Sequence, residues 1–259
     1  MAYELVEFTG LLEKRISGSI KSISGHSWNE DHITLKLLDE LNSTLSQVTL
    51  EGEDFRRKIE WESYKLRGQY ETHFGDVAIV VTISYRDGTS LEGSAFLEAK
   101  RRDWRKTTFS AMNKNQLRRI LKHAPRAHYL LYDYEDITGF SNAVSFGSEI
   151  RRYGGYWSGL VTERTNSVCV PLNVADATGF KDTLLYRHGT PFSWMLSNRY
   201  FQGLDLEFDP TAKAISKGFL DKFGLPRFIM KVDVTENGAD RKDNDMQVNF
   251  QKYEKIEQR

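Results

Sequence analysis

Two carboxylates and one ammonium group stand at the ends of two neighbouring apolar runs. Asp76 opens the β-branched run VAIVVTISY, and Glu98 and Lys100 close the run that ends in FLEAK. Between the two runs lies RDGT at 86–89, a hairpin signal in which Asp-Gly supplies the positive-φ positions. Antiparallel pairing around this turn brings position 76 beside position 98, and the side chains at 98 and 100 share a face. The spacing therefore predicts that the three groups converge at one end of the hairpin.

Such a set of groups fits phosphate chemistry. Two carboxylates suit a hard divalent ion such as Mg²⁺, which keeps several waters and takes phosphate oxygens as further ligands. A neighbouring lysine can polarise an attacking water or stabilise the charge that develops on phosphorus. The alternative is a surface strand that carries a salt bridge of little energetic weight.

The same residues resemble the motif of the PD-(D/E)XK nucleases, the restriction-endonuclease-like superfamily. Gly75-Asp76 precedes one apolar strand and Glu98-Ala99-Lys100 ends the next, with Gly75 where the motif name has Pro. The resemblance covers about residues 28–134, and the predicted order helix-strand-strand-strand-helix-strand agrees with the core of that family.

Two further residues resemble accessory positions of the family. Glu30, in WNEDHIT, is similar to the helical glutamate that many members add to the metal site. Gln116, in NKNQLRR, is similar to the glutamine or basic residue that projects toward the site. The alternatives are a first-turn glutamate favoured by the helix dipole and a solvated helix residue.

The resemblance implies a metal-dependent endonuclease that hydrolyses phosphodiester bonds, with DNA as the favoured substrate. Asp76 and Glu98 would bind Mg²⁺, with Mn²⁺ as an alternative ion, and Lys100 would orient or activate the water. The implied metal site also includes Glu30 and the backbone carbonyl of Ala99. The implied catalytic set is Asp76, Glu98, Lys100, Glu30 and Gln116.

A formal net charge of zero hides an uneven distribution of charge along the chain. Residues 98–128 hold ten Lys and Arg against two acids, whereas residues 30–62 hold nine acids against four bases. A basic run of this kind is often only a solvated face, but here it continues onto one helix and favours phosphate contact. The residues expected to bind nucleic acid are Arg101, Arg102, Arg105, Lys106, Lys114, Arg118, Arg119 and Lys122.

The periodicity of the apolar residues predicts an α/β protein. In the core we expect helices at 28–46 and 107–123, a polar connection at 47–58, and strands at 59–74, 76–85, 91–100 and 127–134. Beyond it we expect strands at 168–174 and 227–234 and helices at 192–204 and 214–224. The expected architecture is one nuclease domain over 1–259: a restriction-endonuclease-like core with a mixed sheet flanked by helices, a C-terminal α/β extension at 135–235, and a fraying polar tail at 236–259.

Several function classes lack their sequence signals. The single cysteine, Cys169, excludes an internal disulfide and a Cys-based zinc site, and no phosphate-binding glycine motif is present. The chain has no apolar run long enough to span a membrane and no signal peptide at its start, so we expect a cytoplasmic protein with no membrane partner. Glu71 competes for a metal role, His73 is expected to be structural, and GGYWSG (154–159) is expected to form a turn.

Three biological settings stay open. The expected one is a restriction or anti-phage defence effector that acts as a homodimer or within a larger defence complex. The alternatives are a non-catalytic nucleic-acid-binding or regulatory module on the same fold, and a nuclease directed at RNA.

Overall fold

One mixed sheet of ten strands forms the centre of this α/β protein. The computed structural model describes residues 2–23, 25–53, 55–68, 74–140, 164–222, 224–239 and 247–256. The strands are β1 (Ala2–Tyr3), β2 (Gln47–Glu51), β3 (Arg56–Leu66), β4 (Val77–Ser84), β5 (Ser90–Arg101), β6 (His128–Ile137), β7 (Thr165–Pro171), β8 (Thr190–Pro191), β9 (Phe228–Glu236) and β10 (Tyr253–Lys255). Their order across the sheet is β1-β2-β3-β9-β4-β5-β6-β7-β8, and β10 pairs with β3.

Helices cover both faces of this sheet. They are α1 (Leu5–Lys21), α2 (Glu30–Leu45), α3 (Lys114–His123), α4 (Leu172–Thr178), α5 (Phe192–Trp194) and α6 (Pro210–Ser216). The chain continues from α5 through a π-helical turn, Met195–Arg199, and a 3-10 turn, Tyr200–Gln202. One apolar cluster joins α1 and α2 to the sheet, and a second joins α3 and α4 to the other face of β5 and β6. No helix in the described ranges combines the length and the apolarity that crossing a membrane requires.

The predicted hairpin of β4 and β5 is confirmed, with the predicted register. Val77 pairs with Leu97 and Ser84 with Ser90, and every residue of β4 except Thr82 is buried. Gly88 has a φ of +79°, which suits glycine, and the preceding aspartate accepts two hydrogen bonds from Thr89. β5 also pairs in parallel with β6, so the strand that carries Glu98 and Lys100 is held on both sides.

Helix α2 is also confirmed, and Asn29 caps it by accepting a hydrogen bond from the His32 amide at 2.9 Å. The segment 192–204 is helical and contributes buried aromatic residues to the core, as expected. Cys169 is a buried free thiol.

Other boundaries differ from the prediction. Helix α1 has no counterpart in the sequence prediction, and the expected polar connection at 47–58 contains β2 and the start of β3. The basic helix begins at Lys114 instead of 107, because Asn113 caps it and Asp103 holds the preceding turns by accepting hydrogen bonds from Thr108 and Ser110. The helix expected at 214–224 ends at Ser216, where Gly218 adopts a φ of +82°.

The C-terminal part of the chain supplies strands to the same sheet. β9, from the expected extension, lies between β3 and β4 and runs parallel to β4. The expectation of a fraying tail is wrong for β10, which pairs with β3 and buries Tyr253 completely. The Tyr253 hydroxyl donates a hydrogen bond to the Pro226 carbonyl at 2.6 Å. Residues after 134 therefore help to build the sheet that carries the site.

Candidate active site

The hairpin brings Asp76 next to the end of β5. The Ala99 amide donates a hydrogen bond to Oδ2 of Asp76 at 3.0 Å, and the Phe228 amide, at the start of β9, donates to the Asp76 carbonyl at 2.9 Å. Because the side chains of a strand alternate, Glu98 and Lys100 lie on the sheet face to which α3 also belongs. The predicted convergence of Asp76, Glu98 and Lys100 is thus present.

The backbone at Gly75 requires a glycine. Its φ is +96°, and a Cβ at this position would lie 2.6 Å from the Leu97 carbonyl oxygen and 3.2 Å from the Glu98 amide nitrogen. Proline is fixed near a φ of about −65° and cannot adopt this backbone. Glycine therefore permits the close approach that sets Asp76 against β5.

Lys100 lies at the centre of a group of polar side chains. Its Nζ is 2.6 Å from Oε1 of Glu98 and 3.8 Å from Oε2 of Glu30. Gln116, on α3, donates from Nε2 to the same Oε1 of Glu98 at 2.7 Å. The Arg101 amide lies 3.4 Å from Oε1 of Glu30. Both accessory residues of the prediction, Glu30 and Gln116, therefore contact the site.

Burial raises the free-energy cost of keeping charge on the side chains around Lys100. The Glu98 side chain is only 1% exposed, and its Oε2 atom has no hydrogen-bond partner in the described structure. Leaving a buried carboxylate oxygen without a partner is costly. Such an oxygen retains the capacity to accept a hydrogen bond or to bind a cation.

The pKa values reflect the same crowding. Burial, followed by the charge of Glu98, raises the pKa of Asp76 to about 8. Burial also raises the pKa of Glu98, against the opposing charge of Lys100. Burial alone would lower the pKa of Lys100, but the surrounding carboxylates outweigh it and raise the pKa of this ammonium group above its ordinary value. The negative charge of the carboxylates is thus not fully neutralised by Lys100, although this lysine is protonated at neutral pH.

The carboxylates of the site match only in part the divalent-ion site that the sequence predicts. No three Asp, Glu, His or Cys side chains within the described ranges form a ready-made metal site. Instead, the Lys100 ammonium group lies against Glu98 at 2.6 Å. The unpartnered Oε2 of Glu98 and the raised pKa of Asp76 nevertheless fit an oxygen-binding cation that would share Glu98 with Lys100. Ala99 contributes its amide to Asp76, and a role for its carbonyl stays a prediction.

The site opens into a cleft of about 690 Å³. Glu30, Asp76 and Gln116 line it, together with three arginines, Arg101, Arg119 and Arg227. Sequence reasoning missed Arg227, which forms an ion pair with Asp31 at the cleft. Its position follows from the parallel pairing of Phe228 with Val77, and no local pattern predicts that pairing.

The predicted nucleic-acid-binding residues divide into distinct groups. Arg102 is a correction: it is 8% exposed and pairs with Asp133 at 3.1 Å and Glu135 at 2.6 Å, so its charge is taken up within the protein. Lys114 and Arg118 lie near Asp176 of α4. Arg101 and Arg119 line the cleft, whereas Arg105, Lys106 and Lys122 are exposed.

Three expectations, for Glu71, His73 and the GGYWSG turn, lie outside the described residues. Comparison of the chain with protein-family models, with curated proteins and with solved structures gives no match. The functional argument therefore depends on the geometry of the site.

Proposed function

We propose that this protein is a metal-dependent nuclease that hydrolyses phosphodiester bonds, with DNA as its favoured substrate. The observation that carries the proposal is the buried Glu98 carboxylate, which interacts with Lys100 and Asp76 next to an arginine-lined cleft and whose Oε2 has no hydrogen-bond partner in the described structure. A structural salt bridge would satisfy both oxygens of a buried carboxylate, because an unpartnered one is costly. We further propose that it serves as a restriction or anti-phage effector.

Asp76 and Glu98 would hold the divalent ion, helped by Glu30 and the Ala99 carbonyl. Bound Mg²⁺ supplies a polarised water and withdraws negative charge from the phosphate oxygens. Gln116 holds Glu98 in place through its 2.7 Å hydrogen bond.

In the absence of a bound cation Lys100 is charged at neutral pH, because the carboxylates around it outweigh the effect of burial on its pKa. A charged ammonium group can donate hydrogen bonds but cannot accept a proton. Two roles were predicted for Lys100. Orienting the water and stabilising the charge on the phosphate is therefore favoured over removing a proton from the water. Arg101, Arg119 and Arg227 would hold the phosphates of the strand in the cleft.

The second candidate is a nucleic-acid-binding module without catalysis. It is favoured by the closed ion pair of Lys100 and Glu98 at 2.6 Å, which satisfies part of the site without a metal. The two candidates differ in whether Asp76 and Glu98 bind a divalent ion.

The test incubates purified protein with plasmid DNA or RNA, with Mg²⁺, Mn²⁺ or EDTA. We expect metal-dependent DNA cutting that falls at least about 100-fold in Lys100→Ala, the usual loss when one charge-stabilising donor is removed. Asp76→Asn serves as a second inactive variant, because it removes a proposed metal ligand while Lys100 keeps its ion pair with Glu98. Lys58→Ala is the matched control, since Lys58 is exposed at the opposite end of the sheet.

Calorimetric titration with Mg²⁺ accompanies the cleavage assay. Heat that disappears in Asp76→Asn supports the metal site. If folded wild-type protein cuts neither nucleic acid and gives no heat that depends on Asp76, the nuclease proposal is refuted and the binding module takes its place.

A further inference from the structure

The loop that leaves the catalytic strand presents one exposed indole ring. Trp104, four residues after Lys100, is 44% exposed, whereas Trp28 and Trp61 are 4% and 3% exposed. A single exposed aromatic residue is ordinary on protein surfaces. The inference therefore depends on how this ring is held, and on the charges around it.

Tyr134 of β6 supports the ring from below. The centroids of Trp104 and Tyr134 are 4.4 Å apart, and the Arg102 guanidinium lies 4.2 Å from the Tyr134 centroid. Trp28 meets Tyr134 edge-on at 5.5 Å. The planes of Trp104 and Tyr134 are tilted by 40°, and those of Trp28 and Tyr134 by 86°. Close aromatic contacts of this kind fix the orientation of a ring. Trp104 is thus the exposed member of an aromatic cluster that is anchored in the fold.

The backbone of the loop is fixed as well. The Arg105 amide donates to the Tyr134 hydroxyl at 2.7 Å, although Arg105 itself has the uncommon φ of +59°. The indole nitrogen of Trp28 donates to the Arg102 carbonyl at 2.8 Å. A Cβ on Gly25 would lie 3.2 Å from the indole of Trp104, so the ring also packs closely over that glycine. A ring held in this way loses little conformational entropy when it binds a partner.

Two exposed basic residues, Arg105 and Lys106, follow the ring. Asp103 precedes it and forms an ion pair at 3.6 Å with Arg101, which lines the cleft three residues before the ring. Three residues span at most about 10 Å of chain. Stacked nucleotides advance about 3.4 Å along one strand, so the backbone separation of Arg101 and Trp104 corresponds to at most about three stacked nucleotides.

We propose that Trp104 is a stacking site for an unpaired nucleobase of the substrate, next to the position of cleavage. This inference rests on the proposed function for its substrate and goes beyond it in naming the preferred form. The bases of an intact duplex present their faces only to each other, so an indole can stack on a base that is single-stranded, frayed or splayed. Stacking of this kind tolerates any base sequence.

The test measures binding in EDTA, where no cleavage takes place. The probes are a fluorescein-labelled single strand of about 12 nucleotides and the same strand in a blunt duplex, followed by fluorescence anisotropy. We expect Trp104→Ala to weaken binding of the single strand about tenfold, within the range for one stacked base, and to change duplex binding less than about twofold. Trp104→Phe should retain most of the affinity, because it keeps an aromatic face.

Phe219→Ala is the matched control, since Phe219 is 54% exposed and lies after helix α6. Thermal melting of each variant checks the fold. Equal effects of Trp104→Ala on both probes, or no effect on either, refute the stacking site, and in the second case the ring fits a surface for a protein partner instead.

Cleavage with Mg²⁺ is a separate readout. If the single-strand preference depends on Trp104 but nothing is cut, the nuclease proposal fails and the stacking site stands. If DNA is cut and no single-strand preference depends on Trp104, the nuclease proposal stands and the stacking site is refuted.

Discussion

Replacing Asp76 by asparagine should stabilise the protein in the absence of divalent ions, while it removes activity. The pKa of Asp76 is raised to about 8, first by burial and second by the charge of Glu98. In the unfolded chain the same carboxyl group loses its proton near its ordinary pKa of 3.8. Asparagine is nearly isosteric, stays neutral at every pH, and can still accept the hydrogen bond from the Ala99 amide through its side-chain oxygen.

The sign and size follow from proton linkage. Between pH 4 and pH 8 the folded state binds the proton that the unfolded state has lost, so this carboxyl group lowers the stability of the fold as the pH rises. The slope is at most about 1.4 kcal/mol per pH unit, which sets a ceiling of about 6 kcal/mol above pH 8. Because Lys100 and Glu98 adjust to the charge, we expect about 2 kcal/mol, or a melting temperature roughly 5 °C higher in Asp76→Asn.

The assay is thermal or urea unfolding of both proteins in EDTA at intervals from pH 5 to pH 9. The advantage of Asp76→Asn should be small at pH 5 and grow until about pH 8, where the cited pKa lies. Asp221→Asn is the control, since Asp221 is 59% exposed, its pKa is lowered by Lys252, and no stabilisation is expected. Parallel stability curves for wild type and Asp76→Asn across this range would refute the electrostatic reading of the site.

Two further predictions separate positioning from binding. Gly75→Ala should lower stability by about 3 kcal/mol and reduce cleavage, as measured by melting and by plasmid cutting, because its Cβ would meet the Leu97 carbonyl oxygen at 2.6 Å on a positive-φ backbone. Unchanged values for both would contradict the close approach. Arg119→Ala should weaken duplex DNA binding several-fold with little change in melting temperature, because Arg119 lines the cleft. Arg102→Ala should lower stability by about 3 kcal/mol, because this change leaves the buried Asp133 without its cation. The duplex affinity of Arg102→Ala should be nearly unchanged. The opposite pattern in these two variants would show that the cleft is assigned wrongly.

The sequence was sufficient for the hairpin and for the meeting of its polar groups, because both depend on local rules. An Asp-Gly turn between two apolar runs fixes the register, and the register alone pairs Val77 with Leu97. Glu30 and Gln116 needed the resemblance as well, since their contacts cross between elements. The Asn29 cap, by contrast, follows from a local signal.

Contacts between distant parts of the chain were beyond reach from sequence. β9 is a short apolar run like several others, and nothing within it indicates insertion between β3 and β4. That insertion places Arg227 at the cleft and lets the Phe228 amide bind the Asp76 carbonyl. Helix α1, by contrast, carries a local signal that the prediction did not use, because Phe8, Leu12, Ile16 and Ile20 recur at intervals of four residues and are all buried.

The basic residues within 98–128 divide between buried ion pairs and the surface, so charge along a sequence is a weak guide to a binding surface. Lys100 of β5 and Arg102, the residue that follows the strand, are both buried, and Glu98 and Asp133 take up their charges. The described lining of the cleft then holds three acidic and three arginine side chains, and the raised pKa of Asp76 leaves that carboxyl group largely protonated at neutral pH. A cleft with so small a net positive charge attracts a polyanion weakly, and a bound divalent ion would make it more positive. A cation that binds the Glu98 carboxylate would thereby also strengthen the attraction of the cleft for phosphate. Metal binding and substrate binding are therefore expected to be coupled. The charged residues expected to act in this coupling are Glu30, Asp31, Asp76, Arg101, Arg119 and Arg227.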